Sequence, residues 1–414
     1  MPIASALSVL LAHCAAEGPN DSGMPIDAPH AHDADATASM DARVDDASLG
    51  VDSAPAVDDA LLSEDGAIED SQALPAMDAE GLDVRDAGRD VAADRVTDAR
   101  SGEAIPAARL ALLRDRVGFG RNARGGEGGS LCRVRSLANS GAGTLRECVT
   151  GPTPRWVVFD VSGTIQLTDF LRIGSFKTVD GRGANVTIAG RALWLDGAEH
   201  VILANLTLTR SVIPAGLGFG GDAITMFGAA HDVWVDHCTL SDSEDGLIDM
   251  VEGATDITIS WSRFQNHSKV MLVGLGGTDT AARNSRITIH HSFFDRTVQR
   301  HPRTRFGRVH AFNNFFRQWG SYGISSTWDA LVFSERNVYE AGPSTRALVT
   351  DLGDGEPRGN ARSSGDRMLN GAVVESNNAT RVLTPTYLYT AETADSALQA
   401  RVQAGAGRRD VSIP

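Results

Sequence analysis

The chain has 414 residues, a formal net charge of −15 and 42 % hydrophobic residues. Residues 15–100 hold 22 Asp and Glu against 5 Arg and no Lys, so residues 101–414 together carry only about +2. The acidity is therefore local, the body has no basic excess that would predict a nucleic-acid partner, and no run approaches the roughly 18 apolar residues of a membrane span.

The chain starts with a short apolar stretch, Met1 to Ala12, followed by His13 and Cys14. Residues 1–14 resemble a bacterial lipoprotein signal, although no basic residue precedes the apolar run and His13 stands where a small residue is usual. Export is the expectation, with Cys14 as a candidate lipid anchor and a secreted or outer-surface location. Residues 15–110 are rich in Ala, Asp, Ser and Gly and almost free of aromatic side chains. Such a composition cannot bury enough apolar surface to offset the entropy of ordering, so the span reads as a disordered, self-repelling tether. The fold is expected in 111–414.

Four cysteines are present. Cys132 and Cys148 flank a polar turn and could pair in an oxidising compartment. Cys238 lies within an apolar strand pattern, where a buried free thiol is the simpler reading.

From residue 201 onward a repeat emerges. VILANLTL from Val201, VWVDHCTL from Val233, ITISWSRF from Ile257, ITIHHSFF from Ile287, VHAFNNFF from Val309 and LVFSERNVY from Leu331 share apolar first and third places and a central polar pair. Their spacings are 32, 24, 30, 22 and 22 residues, as if a coil of about 22 were lengthened by inserted loops. Each unit reads as a strand, a bend and the start of a second strand. No amphipathic helical run separates them, so the strands must stack as a solenoid, an all-β parallel β-helix. The polar pairs Asn205, Asp236-His237, His290-His291 and Asn313-Asn314 read as a column that caps the corner of each coil rather than as catalytic groups.

Function is expected in the inserted loops. Asp222 lies in Gly220-Gly221-Asp222-Ala223-Ile224, and one coil later come Asp245 and Asp249. Three carboxylates brought to one face form an oxygen-rich site suited to calcium, with solvated turn aspartates as the alternative. The chain contains 36 Arg and only two Lys, at 177 and 269, which singles out Lys269 in His267-Ser268-Lys269-Val270. Arg300, Arg303 and Arg305 follow before the strand at Val309. Together they read as a counter-charged cleft or as surface ion pairs of small value.

The segments GGDAI, VWVDHCTLSDSEDGLID, HSKVMLVG and QRHPRTRFG, in this order and with these gaps, resemble the pectate lyases of polysaccharide lyase family one. GFGRNARGGEGG, LANSGAGTLREC, VVFDVSGTIQL and TVDGRGANVTIAG resemble that family's first coils, and TPTYLYTAETADSALQARVQAGAG its closing segment. The resemblance implies Asp222, Asp245 and Asp249 as calcium ligands, Arg300 as the catalytic arginine, and Lys269 and Arg305 as substrate-binding residues. It further implies a monomeric enzyme that takes polygalacturonate, needs Ca2+ and cleaves by β-elimination. Gly220 stands where some members carry another acidic residue. Competing readings are a pectin lyase acting on methyl-esterified polymer without calcium, a hydrolase of the same fold, which would need a separate acid and base pair, and a non-catalytic polysaccharide-binding protein.

Overall fold

The computed structural model describes residues 103–413. The signal-like residues 1–14, Cys14 and most of the acidic span lie outside the described residues. Glu103 to Leu110, which the sequence reading leaves to the tether, belong to the folded body. The Glu103 carbonyl accepts from the Leu131 amide at 2.9 Å and Arg109 pairs with buried Asp180 at 2.9 Å.

All six repeated segments become strands of one ten-stranded parallel sheet running from Ser130–Val134 to Asn360–Ser364. From each of these strands except the first, the chain turns into a second sheet of nine strands, Gly163–Gln166 to Arg367–Leu369. It then enters a third, also of nine strands, Leu171–Arg172 to Val373–Val374, before rejoining the first. Neighbours within a sheet come from successive coils and pair in parallel, so the chain winds as a right-handed β-helix. The expected register holds from Val201 through Val233, Ile257 and Ile287 to Val309. The sixth segment is one residue out: Val309 pairs with Val332, and Leu331 opposes Arg308. Hydropathy does not distinguish Leu331 from Val332, whereas the coil admits only one of them to its interior; Val332 is fully buried.

The polar pairs occupy the corner between the first and second sheets. One residue in each coil bends the chain there through a left-handed φ of 46° to 59°, at Asn205, His237, Trp261, His291 and Asn313. Bulky residues rarely adopt this region, and here stacking secures it. His237 lies parallel to Trp261 with centroids 5.8 Å apart, and Trp261 stacks on His291 at 4.6 Å. One residue further on, an internal ladder ties coil to coil. Ser292 N–H donates to Asn314 Oδ1 at 2.9 Å, Asn314 N–H to Asn337 Oδ1 at 2.9 Å, and Asn337 N–H to Asp366 Oδ1 at 2.7 Å. Buried polar groups satisfied in this way rigidify a core instead of weakening it. The second sheet adds a file of rings, Phe264, Phe294, Phe316 and Tyr339, with centroids 4.5 to 4.9 Å apart.

The first coil is closed by the helix Leu145–Val149, whose Leu145, Cys148 and Val149 enter the core. Cys148 is disulfide-bonded to Cys132 on the first strand, and Cys238 is a buried free thiol as expected. Phe119–Asn122 lies across the ten-stranded sheet, its Gly120 N–H donating to Thr258 Oγ1 at 2.9 Å. A Cβ at Gly120 would come within 2.4 Å of the Val233 carbonyl oxygen, so only glycine permits this approach.

Candidate active site

The third sheet carries the predicted residues, all on consecutive coils. Asp222 precedes the strand Ile224–Phe227, Asp249 lies in Ile248–Met250, Lys269 leads into Met271–Val273, and Arg300 leads into Arg303–Arg305. The pairing Thr225↔Asp249, and the bridge between Lys269 and Gln299, align these positions across the sheet. The loops before the strands are held by the sheet they feed: Asp245 N–H donates to the Gly221 carbonyl and Met271 N–H to that of Arg300. Arg300 itself has a left-handed φ of 64°.

Asp222 is buried, its carboxylate accepting from Gly246 N–H at 2.7 Å and from the Thr225 hydroxyl at 3.1 Å. Gly246 is the pivot. A Cβ there would lie 2.7 Å from an oxygen of Asp222 and 2.7 Å from one of Asp249. The two oxygens are thus at most twice that far apart, close to the reach of one hard cation with ligand distances of about 2.3–2.6 Å. Burial, followed by the nearby charge of Asp245, pushes the Asp222 carboxyl up to about 7. Burial and the charges of Asp222 and Asp245 push Asp249 well above the usual range, against the opposing pull of Arg300 and Lys269. Two crowded carboxylates that hold their protons this way fit a divalent cation, which would relieve both burial and repulsion.

Asp245 behaves differently. Its carboxylate is drawn to Lys269 Nζ at 3.3 Å, and its carbonyl accepts from His267 Nε2 at 2.5 Å. Among the described residues no three Asp, Glu, His or Cys side chains close on one point; the pair that converges is Asp222 with Asp249. Arg305 is 3 % exposed, with Nε on Glu356 at 2.7 Å and a terminal nitrogen on the Leu275 carbonyl at 2.6 Å. Arg303 pairs with the same Glu356 at 3.0 Å.

The structure therefore brings Asp222, Asp249, Lys269 and Arg300 together, with Asp245 as the counter-ion of Lys269 and Arg305 in the wall behind. Sequence reading missed Glu356, more than fifty positions beyond Arg305, for which no local pattern gives a signal. It also passed over His267, which stands two residues before Lys269 and was available to be weighed. The polar pairs of the corner remain outside this site, in the stack already described.

The family model described as pectate lyase matches residues 166–409. Pectate lyase 5 of Ambrosia artemisiifolia is 34 % identical over 325 residues, covering 72 % of this chain and 82 % of its own. A relative from Arabidopsis thaliana that bears a pectate lyase name is 39 % identical over 276 residues, 62 % of this chain and 70 % of its own. The crystal structure of the major allergen from cedar pollen superposes with a TM-score of 0.64 at 31 % identity, covering 73 % of this chain and 95 % of that one. A Bacillus pectate lyase in complex with trigalacturonate shares the fold at a TM-score of 0.56 and 23 % identity, over 72 % and 99 % of the two chains.

Proposed function

Because the chain belongs to the pectate lyase family, whose members cleave pectate, we propose that it does so by calcium-dependent β-elimination in the cleft of the third sheet, releasing 4,5-unsaturated oligogalacturonides. The observation that carries this reading is the pair of carboxylate oxygens facing each other over Gly246, with Lys269 and Arg300 on the next two coils. Asp222 and Asp249, with Asp245, would hold the calcium ion. When bound, that ion would supply a positive charge beside the uronate carboxylate and so make the proton at C5 more acidic.

Lys269 releases Asp245 and binds the uronate carboxylate, stabilising the charge that spreads into it as the C5 proton leaves. Arg305, pinned by Glu356, supports that wall of the cleft and adds its positive field, with little of its own surface to offer substrate. Arg300 takes the C5 proton. The C5–H electrons form the C4=C5 double bond, the C4–O bond breaks, and the departing glycosidic oxygen takes a proton from solvent. Arginine ordinarily keeps its proton, so an alkaline optimum is expected. The Cys132–Cys148 disulfide supports an oxidising location. We accordingly propose an exported, monomeric enzyme, secreted or held at the outer surface through Cys14.

The test is the ultraviolet absorbance of unsaturated product formed from polygalacturonate, with and without chelator. Product that disappears on chelation supports the reading. A hydrolase would release reducing ends with no absorbance, and a preference for methyl-esterified polymer indifferent to chelator would mark a pectin lyase; either result overturns it.

A further inference from the structure

Beyond Arg305 the chain turns through Phe306, at a left-handed φ of 64°, and re-enters the ten-stranded sheet at Arg308. At this turn lies a cavity of about 260 Å³ lined by Arg283, Ser285, Arg286, Phe306 and Arg308. Arg286 and Arg308 are direct partners on adjacent parallel strands. Like charges in such register destabilise a sheet, and only one of the two is neutralised. Arg286 is held by both oxygens of Asp256, at 2.7 and 2.5 Å, whereas Arg308 is exposed and forms no ion pair among the described residues. Arg283 is fixed over the Phe306 ring, 4.4 Å from its centroid, and meets Asp329 only at 3.6 Å, a carboxylate it shares with Arg381. Four guanidinium groups thus draw close ion pairs from only two carboxylates, with Asp232 a more distant negative charge on Arg286. Ser285 is fully buried at the cavity, and its hydroxyl has no hydrogen-bond partner in the described structure.

We propose that this cavity is a second carboxylate-binding site, outside the catalytic cleft, that anchors a uronate of the same polyanionic substrate. The assignment of the ligand rests on the proposed function; the site itself rests on the charge imbalance and the unpartnered hydroxyl. A guanidinium offers the fork of donors that a carboxylate accepts in pairs. Arg308 supplies such a fork without first having to leave a partner, and Arg283 is already oriented by its ring. The cavity begins one residue past Arg305, at the end of a strand of the sheet that carries the cleft, so a long chain leaving the cleft over that end is the one expected to reach it. A short oligomer cannot occupy both.

The experiment is affinity electrophoresis of the full chain through gels containing polygalacturonate, read beside turnover on polygalacturonate and on trigalacturonate. Arg308→Ala, and more strongly Arg283→Ala with Arg308→Ala, should raise the apparent Kd for the polymer about fivefold, as loss of an exposed ion pair allows. KM for the polymer should rise in step, while kcat and all constants for the trimer stay unchanged. Arg308→Lys, which keeps the charge but loses the fork, should restore part of the retardation. Unchanged retardation in the double variant overturns the site, as does an equal loss on polymer and trimer. Because retardation is read without turnover, a wild-type chain that makes no unsaturated product would sink the lyase reading and leave this measurement standing.

Discussion

Two columns of buried polar side chains run along this β-helix, and they are built to opposite ends. At the corner between the first and second sheets, Ser292, Asn314, Asn337 and Asp366 pass hydrogen bonds from coil to coil. The rings of His237, Trp261 and His291 stack beside them. On the third sheet buried Asp222 and half-buried Asp249 are packed with their charges unresolved, and each is driven toward its protonated form. Satisfied polarity holds the solenoid together, whereas crowding like charges costs stability and is retained only where a ligand relieves it. The stacked His237 and His291 belong to the first kind, Asp222 and Asp249 to the second.

The sharpest way to break this comparison is to remove one member of the charged column. Arg300→Ala should lower kcat on polygalacturonate by about 10³, the range for loss of a proton-transfer group, with the thermal midpoint unchanged. A variant that unfolds early, or that keeps its turnover, would return Arg300 to the structural column. The converse substitution is Asn314→Leu. It leaves the Ser292 amide and the Ile289 carbonyl unpaired in the core and should cost about 3 kcal/mol in chemical denaturation, with kcat of the folded fraction unaltered.

The smallest effect separates the columns by sign. Without calcium, the Asp222 carboxyl titrates near 7 in the folded chain and about 3.9 when unfolded. The folded state therefore binds the extra proton, and this contribution to stability falls as pH rises from about 4 to about 7. Burial pushes His290 and His310 below their ordinary value. Their contribution is present above about pH 6.5 and is lost as pH falls. The two oppose each other, so the stability of chelated protein should vary less with pH across the window than either set of groups alone would make it. Asp222→Asn removes one of the two raised carboxyls, Asp249 being the other, and should tilt the balance toward the histidine slope, read as a denaturation midpoint that climbs more with pH than that of the parent chain.

Much of this arrangement was legible in the sequence, for reasons that differ between the two columns. The corner announces itself because every coil must turn there, so Asn205, Asp236-His237, His290-His291 and Asn313-Asn314 recur with the period of the fold. Asp222 stands out because it falls in a loop that lengthens the coil, Asp249 because it follows one coil later, and Lys269 because lysine is so scarce in this chain. What could not be read is what depends on side-chain direction. Asp245 and Asp249 are four residues apart, yet one faces Lys269 and the other faces Asp222 across Gly246. Glu356 reaches Arg305 from a distant loop, and the one-residue slip at Val332 is invisible where two apolar residues adjoin.

The helix Leu145–Val149 and its disulfide to the first strand have a consequence for the assembly of such molecules. A stack of parallel coils has no intrinsic reason to stop, since its terminal coil offers open backbone donors and acceptors to any extended chain that meets it. A stapled plug over that end turns an open template into a finished object, so the same geometry that elsewhere builds fibrils here yields a particle of fixed length.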